Sequence, residues 1–133
     1  MLTAEDLADL VLKYNPKSNS AKIVEAYEYG QIKHEGQFRK SGEPYFTHPV
    51  SVAEILAEQR LDDATIITAL LHDTIEDTGS TKQDISKLFS HEISELVDGV
   101  TKLTKIQVSS METQEAENIR KLLMASAQDI RAI

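Results

Sequence analysis

Apolar residues recur at helical spacing along most of the chain, and no alternating pattern typical of a strand runs for more than a few residues. A first helix is predicted to run to about Tyr14, with Thr3 as its cap and Asp6 completing a weak capping box. A second helix is predicted over residues 20–34, with Ile32 on its apolar stripe. These two segments indicate a helical start to the fold.

The middle of the chain predicts two more helices, separated from the first two by a loop. The loop covers residues 36–44 and contains two Gly and a Pro. A third helix is predicted to begin near Thr47 or His48, with Pro49 in its first turn, where a missing N–H costs nothing. The apolar run at residues 66–71 predicts a fourth helix that continues to Asp77.

The remaining sequence predicts three further helices. Short helices are expected over residues 82–89 and 91–103, the first of them capped by Thr81 and Asp84. A final helix is expected over residues 112–132. The pattern therefore predicts an all-α fold, an orthogonal bundle of six or seven helices.

The length and net charge of the chain limit the classes of function that fit it. The 133 residues fit one domain over residues 1–133, and the formal net charge is −8. A chain this acidic is a poor candidate for binding nucleic acid or an anionic membrane, and a phosphate-bearing ligand would need a local cluster of cations or a bound metal. There is no cysteine and no run approaching the ~20 apolar residues of a membrane span, so we expect a cytoplasmic protein.

Four groups that can bind a metal or transfer a proton lie at the end of the fourth predicted helix. On one continuous helix, at about 100° per residue, they fall within an arc of roughly 140°, opposite the apolar side chains. An acidic helix face is more often plain solvated surface, and a lone histidine is more often a hydrogen-bonded core residue. Spacing alone leaves both interpretations open. The four residues are His72, Asp73, Glu76 and Asp77.

A second histidine, His48, stands at the start of the third predicted helix. Two imidazoles and an adjacent carboxylate suit a catalytic divalent-metal site that keeps positions open for water and substrate. The candidate ligands are therefore His48, His72 and Asp73. Glu76 and Asp77, one helical turn further on, are candidates to orient the attacking water or to act as general base or acid.

Cations near these residues are candidates for substrate binding. Arg39 and Lys40 lie in the loop before the third helix, where Arg can fork onto a phosphate and Lys supplies a point charge. Two basic residues in a loop are more often plain surface. Lys102 and Lys105 could border the site, or they could simply complement a helix dipole. His34 belongs to no comparable group and is interpreted as structural or surface.

Together these motifs resemble the HD-type hydrolase domain of the RelA/SpoT homologue family, the enzymes of guanosine tetraphosphate (ppGpp) metabolism in the stringent response. The match covers nearly the whole chain. Its most specific stretches are residues 34–49, His-Glu-Gly-Gln-Phe-Arg-Lys-Ser-Gly-Glu-Pro-Tyr-Phe-Thr-His-Pro, and residues 69–78, Ala-Leu-Leu-His-Asp-Thr-Ile-Glu-Asp-Thr.

The resemblance implies an all-α, manganese-dependent hydrolase that removes the 3′-pyrophosphate of ppGpp or pppGpp, giving GDP or GTP and pyrophosphate. It implies one divalent metal ion as cofactor and a small-molecule substrate, with neither nucleic acid nor membrane as partner. By position, His48, His72 and Asp73 match the family's metal ligands, Glu76 and Asp77 its catalytic acidic pair, and Arg39 and Lys40 residues around the guanine and phosphates.

One departure concerns the C-terminal end. In the family, a segment like Asp129–Arg131 is followed within a few residues by Leu-Ala-Asp-Arg, whose Asp is a fourth metal ligand. This chain ends at Ile133, so the resemblance implies a truncated domain without the synthetase and regulatory domains. We expect weaker metal binding, reduced or lost activity in this fragment, and self-association through exposed apolar surface.

Two alternatives stay open. A different HD-superfamily phosphohydrolase would share the metal motifs but act on another nucleotide. A non-catalytic module would bind a partner or regulate a full-length homologue, and the missing fourth ligand supports it. A panel of nucleotide substrates distinguishes these alternatives from a ppGpp hydrolase.

Overall fold

The computed structural model describes residues 1–106, 116–117 and 119–120, with only the backbone of 103–106. Helical segments without a strand form an all-α bundle in this part of the chain, which confirms the predicted fold class. None of the described helices is long and apolar enough to cross a membrane. The segments are α1 (Ala4–Tyr14), α2 (Ser20–Lys33), α3 (Thr47–Glu58), α4 (Asp63–Leu71), α5 (Thr74–Asp77), α6 (Lys82–Leu88) and α7 (His91–Ile106).

Both predicted capping boxes are present. The Thr3 hydroxyl accepts a hydrogen bond from the Asp6 N–H at 3.1 Å, and the Thr81 hydroxyl accepts one from the Asp84 N–H at the same distance. Each box satisfies N–H groups that have no partner within the first turn of a helix. The predicted helix over residues 112–132 lies outside the described residues, apart from residues 116–117 and 119–120, which are helical.

Helix α4 forms the centre of the bundle and packs against α2, α3 and α7. Every residue from Thr65 to Leu71 is buried, as expected for a helix that is apolar on all sides. Helix α2 approaches α4 closely at Gly30. A Cβ atom there would lie 2.9 Å from the Leu70 carbonyl oxygen and 2.5 Å from Cε1 of Phe46. Only glycine leaves room for this contact.

The prediction of one continuous fourth helix through Asp77 is wrong. Helix α4 ends at Leu71 and α5 begins at Thr74. Side-chain hydroxyls contact the backbone carbonyls at the break. Thr74 donates to the Leu71 carbonyl at 2.8 Å, and the Thr101 hydroxyl of α7 is shared between the carbonyls of Val97 at 3.0 Å and His72 at 3.3 Å. Such bonds compete with the regular helical ladder. The predicted group of four polar side chains therefore does not share one helix face.

The expected burial of Ile32 is also wrong, because its side chain is 67% exposed. Helix α2 buries Ile23, Ala26, Tyr27 and Gly30. Ile32 follows Gly30 by two positions, which is about 200° around a helix, and it therefore faces away from the core.

Candidate metal centre

Three side chains from two separate parts of the sequence converge at the break between α4 and α5. His48 comes from the first turn of α3, and His72 and Asp73 form the break itself. One potential ligand atom from each of the three lies within 4.8 Å of the others. The Nε2 atoms of His72 and His48 lie 3.1 Å and 3.7 Å from Oδ2 of Asp73. All three residues are buried, so water competes little for these atoms.

Local hydrogen bonding fixes the orientation of the His72 ring. Its Nδ1 atom lies 2.6 Å from the carbonyl oxygen of Ala69. A carbonyl can only accept, so Nδ1 carries the proton and donates it. In the neutral ring, Nε2 then presents a lone pair toward Asp73. Metal-binding histidines are typically oriented in this way by a carbonyl on the far side of the ring.

The donor set of the cluster fits a divalent cation. The Nε2 lone pair of His72 and the Asp73 carboxylate are both electron-rich, and at 3.1 Å they repel each other unless a proton or a metal ion lies between them. Two imidazole nitrogens and one carboxylate oxygen also leave coordination positions open for water and substrate. The arrangement can therefore hold a catalytic rather than a closed structural ion.

Tyr45 connects the cluster with α5. Its hydroxyl donates a hydrogen bond of 2.8 Å to Oδ2 of Asp73, and it lies beside the Asp77 carboxyl, to which it can donate only in place of Asp73. Partial burial and the nearby charge of Asp73 raise the pKa of Asp77, while His34, Tyr45 and His72 pull that pKa in the opposite direction. Asp77 thus lies within the electrostatic reach of the cluster and holds a proton more readily than a free aspartate.

Within the described part of the chain, the group of potential ligand atoms consists of His48, His72 and Asp73. The other candidate site residues do not belong to it. Glu76 and Asp77 belong to α5, and both are exposed. Arg39 and Lys40 lie in a tight loop, in which the Arg39 N–H donates to the Glu43 carbonyl at 2.8 Å. Arg39 is half-buried and Lys40 is exposed.

The two lysines proposed to border the site have different outcomes. Lys102 is exposed on α7 and forms an ion pair of 3.0 Å with Asp98, one turn earlier. The side chain of Lys105 lies outside the described part of the chain.

His34 is a residue of this region that the sequence interpretation set aside. It is only 2% exposed, its Nδ1 atom lies 2.8 Å from Oε1 of Gln37, and its ring centroid lies 4.9 Å from that of Tyr45. The one sequence feature that could have indicated a role for His34 is its position at the start of the motif over residues 34–49. Its contact with the site depends on how α2 packs, which spacing does not show.

Comparisons with known proteins identify the family of the chain. A model of the HD domain family matches residues 26–133. The chain is 49% identical over all 133 residues to the GTP pyrophosphokinase rsh of Brucella melitensis and, over the same length, to the bifunctional (p)ppGpp synthase/hydrolase SpoT of Escherichia coli K12. It spans 18% and 19% of these relatives, about a fifth of their length.

A solved structure gives the same result. It is described as a metazoan orthologue of SpoT that hydrolyzes ppGpp and plays a role in starvation responses. The superposition has a TM-score of 0.58 and 36% sequence identity, and it covers 61% of this chain and 48% of the other. The match of the family model over most of the chain, together with these relatives, shows that the chain belongs to the HD domain family and to its RelA/SpoT-type members.

Proposed function

We propose that this chain carries a metal-dependent (p)ppGpp 3′-pyrophosphohydrolase centre, which converts ppGpp or pppGpp to GDP or GTP and pyrophosphate in the cytoplasm. The observation that carries the proposal is the convergence of His48, His72 and Asp73 within 4.8 Å. A relative named as a bifunctional (p)ppGpp synthase/hydrolase is 49% identical to the whole chain and supports the choice of substrate.

The proposed cofactor is one Mn²⁺ ion held by His48, His72 and Asp73. Imidazole and carboxylate donors suit this ion, and three protein ligands leave positions for water and substrate. When bound, a divalent ion polarises a phosphoryl oxygen and lowers the pKa of a water molecule. The His72 ring contributes by keeping its proton on Nδ1, bonded to the Ala69 carbonyl, so that Nε2 is available as a donor.

In the proposed reaction, the acidic pair of α5 transfers protons and orients the attacking water. Water attacks the phosphorus attached to the ribose 3′ oxygen, the bond between them breaks, and the departing 3′ oxygen takes up a proton. Partial burial, the largest cause of the raised pKa of Asp77, brings this carboxyl closer to the pH at which a proton-transfer group is effective, so we assign it as general acid or base. Glu76, one residue earlier and exposed, is assigned to orient the attacking water.

Arg39 and Lys40 are the proposed substrate-binding cations. A chain with a net charge of −8 repels an anionic nucleotide at long range, and local cations must offset that repulsion. Both residues lie in the loop that leads to Tyr45, and Tyr45 itself bonds the metal-ligand candidate Asp73. The loop therefore joins the proposed binding residues to the proposed reaction centre.

The test is to incubate the chain with ppGpp and Mn²⁺ and to measure the release of GDP and pyrophosphate. We expect any turnover by the unchanged chain to be lost in His72→Ala. His91→Ala is the matched control, because the side chain of His91 is 80% exposed and its loss should leave the rate unchanged.

A panel of other nucleotides decides between substrates. Release of phosphate from ordinary nucleotides with ppGpp left intact would assign the centre to a different HD-type phosphohydrolase. Mn²⁺ binding without hydrolysis of any nucleotide would favour a non-catalytic module.

A further inference from the structure

A chain of hydrogen bonds runs from the end of α2 to the acidic turn α5. The Nδ1 atom of His34 lies 2.8 Å from Oε1 of Gln37, and Nε2 of Gln37 donates to the backbone carbonyl of Asp77 at 2.7 Å. These contacts join residues that are up to 43 positions apart in the sequence. They hold α5 at the residue assigned to proton transfer.

The chemistry of the groups fixes the direction of every bond in this chain. The Asp77 carbonyl can only accept, so the Gln37 atom facing it must be the NH₂ group. The Gln37 oxygen then faces His34, whose Nδ1 must carry the proton. The His34 tautomer with its proton on Nδ1 therefore matches this amide orientation, and reversing the amide would lose the bond to the Asp77 carbonyl.

The His34 ring also contacts the residue that joins the two carboxylates of the site. Its centroid lies 4.9 Å from that of Tyr45 at an interplanar angle of 37°. The Tyr45 hydroxyl donates to Asp73 at 2.8 Å and lies beside the Asp77 carboxyl. His34 is thus connected to the metal centre in two ways. Hydrogen bonds through Gln37 connect it to the α5 backbone, and its ring contact with Tyr45 connects it to the carboxylates.

A purely packing role does not account for a histidine at this position. His34 is only 2% exposed, and its Nε2 atom has no hydrogen-bond partner among the residues that the structure describes. Burying a polar atom without a partner costs free energy, and an apolar side chain would fill the space without that cost. The ring atom that makes a hydrogen bond is Nδ1, which bonds Gln37.

We propose that His34 is a positioning residue of the metal centre, acting through Gln37 and Tyr45 to hold Asp73 and Asp77 in place and so to strengthen the binding of the divalent ion. This inference rests on the metal centre of the proposed function. It assigns to His34 and Gln37 a role in metal affinity that does not require either of them to touch the ion.

The first test changes Gln37, which is only half-buried and can be replaced with little risk to folding. Gln37→Leu removes both hydrogen bonds of the chain. We expect the dissociation constant for Mn²⁺, measured on the full chain by calorimetric titration, to rise up to about tenfold, which is less than the 10- to 100-fold typical of a group bonded directly to a ligand. Gln31→Leu is the matched control: Gln31 is exposed on α2, and its replacement should leave Mn²⁺ affinity unchanged.

The second test asks which atom of His34 matters. His34→Leu removes the Nδ1 donor and should weaken Mn²⁺ binding as Gln37→Leu does. His34→Asn places an amide NH₂ near the position of Nδ1 and should recover most of the affinity. The double variant His34→Leu/Gln37→Leu should be little worse than either single variant, because both act through the same bonds.

The outcomes separate this inference from the proposed activity. If Gln37→Leu and His34→Leu lower only the melting temperature of the metal-free chain and leave Mn²⁺ affinity unchanged, the residues are structural and the positioning role is wrong. Wild-type chain that binds Mn²⁺ but leaves ppGpp intact contradicts the proposed activity while the affinity comparison still decides the role of His34. Wild-type chain that binds no Mn²⁺ overturns both.

Discussion

At the scale of single residues, Asp77 shows how the site departs from ordinary surface chemistry. Partial burial and the charge of Asp73 raise its pKa above the usual 3.8. Between that value and the raised pKa, the native state binds more protons than the unfolded state does. Stability contributed by this group is therefore complete below 3.8 and is lost as the pH rises through the folded pKa.

The direction of this pH dependence leads to a prediction for Asp77→Asn in the metal-free chain. The amide cannot ionise, so it escapes the cost of keeping a charge beside Asp73. We expect the variant to have a higher free energy of unfolding than the unchanged chain near neutral pH, and the gain to shrink below 3.8. Urea denaturation in the presence of a chelator measures the free energy of unfolding of both proteins at the two pH values. A gain that is equal at both pH values would contradict the raised pKa.

A second prediction at this scale concerns Lys40, one of the proposed substrate cations. Loss of a charge-assisted hydrogen bond costs about 1.5–3 kcal/mol, so Lys40→Gln should lower kcat/KM for ppGpp about tenfold or more. Lys17→Gln is the control, because Lys17 is also exposed and its loss changes the net charge equally. Equal effects of both substitutions would show that overall charge, rather than a local contact, governs substrate capture.

At the scale of helices, the close contact between α2 and α4 leads to a prediction that opposes helix propensity. Alanine is favoured over glycine by about 1 kcal/mol within a helix. A Cβ atom at Gly30 would nevertheless meet the Leu70 carbonyl oxygen at 2.9 Å, and backbone cannot move aside cheaply. We expect Gly30→Ala to destabilise the fold by about 1–3 kcal/mol, measured by urea denaturation.

Gly79→Ala is the matched control for this experiment. A Cβ atom at Gly79 would meet nothing within 4 Å. Its replacement should change the free energy of unfolding by no more than about 0.5 kcal/mol. A stabilising Gly30→Ala would mean that α2 and α4 are further apart than described.

The same scale shows what could be predicted from sequence. The capping boxes at Thr3 and Thr81 were predictable because both partners lie within three residues of each other. The end of α4 was not, because one of the hydroxyl groups that bond its carbonyls belongs to Thr101, 29 residues beyond His72. Local patterns therefore give helix starts, while an interruption caused by tertiary contacts stays hidden.

At the scale of the whole molecule, the candidate site depends on how distant segments pack. His48 was singled out from its place before Pro49 and from the resemblance of the motif, since its separation of 24 positions from His72 carries no geometric information. The structure brings the two rings to a centroid distance of 5.5 Å. Spacing likewise could not reveal His34, because its contacts with Gln37 and Tyr45 become relevant only once α5 packs beside them.

This assembly of the site from α3, the end of α4 and a support from α7 predicts that metal binding stabilises the whole fold. An ion that binds only the native state adds RT ln(1 + [L]/Kd), about 2.7 kcal/mol at 100 times Kd. We therefore expect the free energy of unfolding to rise by about that amount at such a Mn²⁺ concentration, and a chelator to reverse the gain.

His48→Ala should abolish this gain, because it removes the ligand that α3 contributes and leaves only the adjacent pair His72 and Asp73 on the ion. His91→Ala, at an exposed histidine of α7, should keep the full gain. Urea denaturation over a series of Mn²⁺ concentrations gives the dependence directly. A gain of unchanged size in His48→Ala would place the ion elsewhere, because a centre that includes His48 binds the ion more weakly without it and stabilises the fold less at a given Mn²⁺ concentration.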